Sequence, residues 1–145
     1  MANDDTGLIA RLFAQAVPEI AAGIIEIKAI VRKSGYRSKL ALHSQDPQVD
    51  SIGACVGFRA GRIKKIVEAL GGERIDLIRW HDSPERLIAY ALQPAAIEGV
   101  ILHPAQHRAV VTVKADQASL VRGRRGENRE LASRLCGWQI EIEEQ

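Results

Sequence analysis

Aromatic side chains are scarce, making up 4% of the 145 residues, which argues against recognition by a broad aromatic platform. Cysteine is nearly absent as well. Cys55 and Cys136 have no metal-type spacing and read as free buried thiols of a cytosolic protein. No apolar run approaches the roughly 18 residues of a membrane helix. The start, MANDDTGL, is acidic and polar where a secretory segment is basic and then apolar. A cytoplasmic protein with no membrane partner is expected. Catalytic patterns are missing too. There is no Ser-His-Asp, Cys-His or carboxylate pair in a catalytic context and no Walker-type loop, so no enzyme and no cofactor is expected. His103 and His107 are four apart, but Pro104 places them in a hairpin loop without a third ligand, so no metal is expected. His43 and His81 stand alone and read as structural or surface groups.

Net charge is also small, at +2. Its distribution says more than its size. Five cations (Lys28, Arg32, Lys33, Arg37, Lys39) fall between residues 28 and 39 with no acid among them. Arg59, Arg62, Lys64 and Lys65 form a second run, and five arginines between Arg122 and Arg134 face only Glu127 and Glu130. The acids gather at Asp4, Asp5 and Glu141, Glu143, Glu144. Such patches suit localised contact with a polyanion. Solvated helix faces are the alternative for any one of them.

Hydrophobic spacing supplies the elements. Leu8, Ile9, Leu12, Phe13 and Ala16 recur at helical intervals after a cap at Asp5 or Thr6, and Pro18 stops the run. Residues 24–32 alternate, with Ile25, Ile27, Ala29 and Val31 on one face, and residues 39–43 alternate again. A short helix at 51–56 precedes Gly57. Ile63, Ile66, Val67 and Leu70 then mark an amphipathic helix ended by Gly71-Gly72, and 74–79 is a third strand. Asp46 and Asp50 read as turn and cap residues.

Ser83 caps a further helix with Pro84 at its first position. Strands at 97–102 and 108–114, a short helix at 117–122, a break from Gly123 to Gly126, a second helix ended by Gly137 and a strand at 138–142 complete the chain. The same order has appeared twice. Gly57 and Gly123 are 66 residues apart, and Gly72 and Gly137 are 65 apart, as in an internal structural repeat. Two α+β units are expected, residues 1–81 and 82–145, joined near His81 to Pro84. Trp80 and Trp138 read as core, and Leu120, Val121 and Ile140 as core or as groove-lining residues.

The turn Gly123-Arg124-Arg125-Gly126 carries the chemistry. Glycine admits backbone conformations closed to other residues and lets a ligand backbone approach. A helix N-terminus beyond it offers unpaired N–H groups to an anion, and arginines add bidentate phosphate geometry. Arg122, Asn128 and Arg129 flank the turn, the arginines suited to phosphates and Asn128 to a sugar or base edge. Helix–GxxG–helix within such a unit is the signature of a KH domain, whose loop clamps about four nucleotides of single-stranded backbone.

The element order resembles the type II (prokaryotic) KH topology, so the fold class expected is α+β, two tandem domains, each a three-stranded sheet covered by helices. VPEI at 17–20, IKAIVRKSGYRSKLAL at 27–42, SQDPQVD at 44–50, GACVG at 53–57, RIDLIRW at 74–80 and SLVRGRRGENRELASRLCGWQIEI at 119–142 resemble successive segments of the tandem KH region of the NusA family. The resemblance implies binding of single-stranded nascent RNA beside RNA polymerase and other elongation factors, with effects on pausing, termination and antitermination. Bacterial members carry a polymerase-binding domain and an OB-fold domain before these units. The Met1 start reads as that of a naturally short protein, as in archaeal relatives of two KH units.

The first loop departs from the family's Gly-Pro-Lys-Gly, reading Gly57-Phe58-Arg59-Ala60 with a glycine displaced to Gly61. Ala60 adopts positive φ less cheaply than glycine. Phe58 is a stacking platform or a packed turn residue. The first unit is therefore expected to bind weakly or only to assist, although Arg59, Arg62, Lys64 and Lys65 keep it electropositive. Two rival roles use the same fold. One is a protein-interaction adaptor, favoured by the altered first loop. The other is an RNA-binding factor in ribosome assembly.

Overall fold

The structure, a computed structural model, describes residues 5–145; residues 1–4, and with them Asp4 of the acidic start, lie outside the described residues. The chain forms two compact units that divide between Trp80 and His81.

In the first unit, helix α1 (Thr6–Ala16) begins where the Asp5 carboxylate accepts the Leu8 amide, and it ends before Pro18, which opens the short α2 (Pro18–Ala21). Strands β1 (Ile25–Lys33) and β2 (Arg37–Ser44) pair antiparallel, and β3 (Arg74–Arg79) lies parallel to β2. A parallel partner needs a crossover. Helices α3 (Ser51–Val56) and α4 (Gly61–Ala69) supply it. Ile9, Phe13 and Val17 pack with Ile25, Leu40, Leu42, Cys55 and Ile66 in the core. Burial pushes the Cys55 thiol up to about 11, helped by the Glu19 carboxylate and opposed by Arg62, so it stays protonated.

Apart from the short α2, the second unit repeats this order. Helix α5 (Pro84–Ala91), capped by the Ser83 hydroxyl, is followed by the antiparallel pair β4 (Gly99–His103) and β5 (Arg108–Val113). Helices α6 (Ala118–Arg122) and α7 (Glu127–Cys136) cross over to β6 (Gln139–Glu144), parallel to β5. Ala109, Val111 and Val113 alternate inward, and Leu87, Ile88, Val121, Leu131 and Ala132 are among the residues buried with them.

Three expectations need correction. The face Ile25, Ile27, Ala29, Val31 does not run the length of β1. The register shifts between Ile27 and Ala29, so Ile30 pairs with Leu40, and it is Ile30 that packs on the core. One extra residue in a bulged strand moves every later side chain to the other face. Trp80 and Trp138 are only half-buried: the Lys28 ammonium sits 5.9 Å from the Trp80 ring, and His107 lies 5.0 Å from Trp138. Cys136 is likewise half-buried, while Cys55 is fully enclosed.

The cation run 28–39 also proves to be largely interior. Arg32 is buried and donates from Nε and Nη2 to Glu73, each at 3.0 Å, while Ser38 Oγ and the Gly35 amide donate to the same carboxylate at 2.7 and 2.9 Å. Arg37 Nε and Lys39 Nζ donate to Asp76 at 2.7 and 2.8 Å. Burial lowers the Lys39 ammonium from its ordinary range, and Asp76 opposes that shift. These pairs tie the β1–β2 turn and β2 to β3. In the second unit Arg108 and Glu141 meet at 2.7 Å across β5 and β6.

Burial alone would raise the Glu73 carboxyl, but its bonds from Arg32, Ser38 and Gly35 outweigh that and hold it below the ordinary value. A depressed folded pKa contributes stability that is present above the unfolded value, about 4.3, and is lost as pH falls through the folded value. Glu73→Gln should therefore cost about 3–5 kcal/mol at pH 7 by stranding Arg32. Its stability should also fall less steeply than the native protein's on acidification below about pH 4. Urea unfolding followed by circular dichroism across this pH range checks both.

Candidate nucleic-acid interface

Each crossover contains a sharp corner between its two helices, and the two corners are built alike. Gly123 (φ 73°, ψ −179°) ends α6, Arg125 (φ 56°) and Gly126 (φ 74°) are left-handed, and α7 begins at Glu127. In the first unit Gly57 (φ 79°, ψ 176°), Arg59 (φ 53°) and Ala60 (φ 60°) repeat these angles residue for residue. The turn bond from the Gly126 amide to Gly123 O, 3.2 Å, matches that from Ala60 to Gly57 O, 3.1 Å.

The residue five positions beyond the first glycine locks the corner. Asn128 is fully buried, and its Nδ2 donates to Leu92 O (2.9 Å), Leu120 O (3.1 Å) and Val121 O (3.3 Å). Two of these are carbonyls at the C-terminal end of α6, which the helix leaves unpaired. Arg62 has the same place in the first unit. Its Nη1 donates to Ala54 O at 2.7 Å and to Glu19 Oε1 at 3.0 Å, and Ala54 is the counterpart of Leu120. This packing dictates the glycine as well. A Cβ at Gly123 would stand 2.6 Å from Asn128 Cβ and 2.9 Å from its backbone nitrogen, and one at Gly57 would stand 2.7 Å from Arg62 Cγ.

The helices beyond the corners differ from α1, α3 and α5 at their starts. Asp5, Asp50 and Ser83 side chains cap those three, whereas no side chain caps α4 or α7. The N–H groups of a helix's first turn carry partial positive charge, so an uncapped start is open to an anion. Arg124, Arg125 and Arg129 surround the α7 start, all exposed, and none forms an ion pair among the described residues. Arg122 lies 3.9 Å from Glu144. Between α7 and strand β6 runs a groove of about 540 Å³ lined by Arg125, Gly126, Arg129, Ser133, Arg134, Gln139 and Ile140, with Glu130 and Glu141 also present. Among the described residues strand β6 pairs only with β5, so the groove lies along the sheet edge.

Most of the sequence-derived candidates surround the two corners, but four change role. Asn128 was expected at a sugar or base edge; it is buried because the carbonyls of α6 and Leu92 take its amide. Arg62 was counted among the surface cations; its charge is met by Glu19. Gly61 does not replace the missing loop glycine, because it has ordinary helical angles (φ −65°, ψ −33°) and Ala60 itself adopts the left-handed conformation. Phe58 is not a packed turn residue, being 85% exposed. Arg59, Lys64 and Lys65 remain exposed. Leu120 is 41% exposed, Val121 is core, and Ile140, almost covered, forms part of the groove wall. Arg134 was counted in the basic patch from Arg122 onward, but the groove residues Ser133 and Gln139 escaped sequence reasoning, since only the fold brings α7 alongside β6.

Two units of order α-β-β-α-α-β, each with a left-handed corner between its crossover helices and a mixed sheet centred on β2 or β5, define a tandem KH protein. The chain belongs to the NusA-like KH family: residues 3–80 match the NusA-like first KH domain and residues 84–145 the NusA-like second KH domain. Among curated relatives, the transcription termination/antitermination protein NusA of Thermus thermophilus is 47% identical over 137 residues. Those of Halalkalibacterium halodurans and Bacillus subtilis are 43% and 42% identical over 136 residues. Each alignment covers 94% of this chain and 35–37% of the relative, so the chain spans about a third of their length. The crystal structure of APE1850 has the same fold, with a TM-score of 0.64 at 20% identity over 92% of this chain and 96% of that one.

Ala60 holds a conformation that costs an L-residue about 1 kcal/mol relative to glycine. Ala60→Gly should stabilise the first unit by about that amount. Asn128→Ala should cost about 1–3 kcal/mol by leaving buried carbonyls unsatisfied. Thermal or urea unfolding monitored by circular dichroism reads both.

Proposed function

We propose that the chain binds single-stranded RNA, as part of the control of transcription elongation, termination or antitermination. The observation that carries this reading is the uncapped start of α7, ringed by three exposed arginines without carboxylate partners among the described residues and opening onto the β6 groove. Phosphates of one strand meet the Gly123–Gly126 corner and the guanidinium groups of Arg124, Arg125 and Arg129, while bases lie along the groove. Arg122 adds positive charge from the end of α6. The first corner takes the same backbone shape despite Ala60, and Arg59, Lys64 and Lys65 give it matching charge, so it takes a second stretch of strand.

The transcriptional role is supported by family membership and by the function that the names of the NusA relatives state. RNA polymerase and other elongation factors are the corresponding partners, in the cytoplasm. Nothing in the proposed role calls for a catalytic group or a cofactor.

Arg124→Asp together with Arg125→Asp should abolish binding of a fluorescein-labelled single-stranded RNA while leaving the circular dichroism spectrum unchanged, since both side chains are exposed. Removing one phosphate contact should flatten the log–log salt dependence by about 0.7. Native affinity in the double variant, measured by anisotropy, would refute the site.

A further inference from the structure

The first corner carries a second feature that phosphate binding leaves unexplained. Phe58 projects from it almost wholly exposed, with the Arg59 guanidinium carbon 5.2 Å from its ring centroid. Beside it, between α1 and α4, lies a cleft of about 550 Å³. Leu12, Ala16 and Ile66 give it apolar walls, Gln15 and Lys65 line it with polar groups, and Phe58 borders it. Gly61 also lines the cleft. Its helical angles demand no glycine, and a Cβ built there would meet nothing within 4 Å. The missing side chain thus leaves room against the helix backbone rather than relieving strain.

We propose that this cleft holds one unstacked nucleobase of a single-stranded RNA, with Phe58 stacking on its face. The proposal rests on the RNA-binding reading and deepens it. Three properties of the cleft fit that occupant. An exposed ring beside an apolar slot suits a flat aromatic group, and the Gln15 amide offers a donor and an acceptor for a base edge. Charge supplies the rest: residues 59–65 contain no acid, Arg62 is neutralised by Glu19, and Arg59 and Lys65 are left to meet the phosphates on either side of the base. The second unit has Arg124 and Glu127 at the positions of Phe58 and Gly61, so it holds the backbone but lacks this base site.

The test uses the full chain and fluorescein-labelled oligoriboadenylate and oligoribouridylate of about 15 nucleotides, long enough to span several KH-sized sites of about four. Phe58→Ala and the cleft-filling Gly61→Leu should each weaken binding of at least one oligomer about 5- to 100-fold, the range set by one stacked base. The salt slope should stay unchanged, because every phosphate contact is retained. Phe58→Trp should bind like the native chain, with an added indole emission that RNA quenches. In an oligomer scanned with abasic sites, one position should weaken the native chain but not Phe58→Ala. If Phe58→Ala binds both oligomers like the native chain while Arg124→Asp/Arg125→Asp does not bind them, the base site is wrong and the RNA-binding reading stands. If both variants keep native affinity, both proposals fall. Benzoylphenylalanine at position 58 crosslinking to a polypeptide and not to RNA would also overturn the base site.

Discussion

A side chain reaching back to the end of the preceding helix is what the whole candidate interface depends on. Asn128 and Arg62 each satisfy a carbonyl that a helix end leaves open, and in doing so pull the following helix tightly against the corner. Tight approach leaves no space for a Cβ at the first loop residue, so Gly123 and Gly57 follow from packing as much as from their positive φ. With the interior side of the corner closed in this way, the two middle residues and the uncapped helix start face outward. Positive charge at the corner is therefore set by Arg124 and Arg125 in one unit and by Arg59 in the other, on nearly identical backbones.

The units spend their cations differently. In the first, Arg32, Arg37 and Lys39 are buried against Glu73 and Asp76, where they fasten turns and strands. Such pairs gain little net stability over apolar packing but cost several kcal/mol when one partner is removed, which makes them constraints on the chain rather than sources of affinity. In the second, the arginines stand at the surface around the corner. A net charge of +2 conceals this arrangement, because these interior cations are matched by carboxylates and, among the described residues, Arg124, Arg125 and Arg129 are not.

Much of this was legible in the sequence. The repeat spacing, the caps at Asp50 and Ser83, a first cap narrowed to Asp5 or Thr6, and the GRRG corner followed from local rules of periodicity, capping and glycine chemistry, and the matching segments carried the family. What escaped depended on contacts distant in sequence. The bulge near Lys28 is set by pairing with β2, and the burial of Arg32 by a glutamate 41 residues away. Asn128 looked like a binding residue because it follows the GRRG turn in sequence, among arginines. Aligning the repeats places it opposite Arg62, and only the fold shows that both side chains turn back to the preceding helix.

If an RNA strand is held at the outward face of a corner whose inward face is locked, amide resonances will report it residue by residue. The decisive experiment is titration of the ¹⁵N-labelled chain with single-stranded RNA. The largest shifts should fall on the backbone amides of residues 124–129, with smaller ones at 58–61, while the buried Asn128 side-chain amide should stay in place. Unmoved loop amides, with shifts confined instead to the sheet around Ile101 and Val110, would be incompatible with binding at the corner.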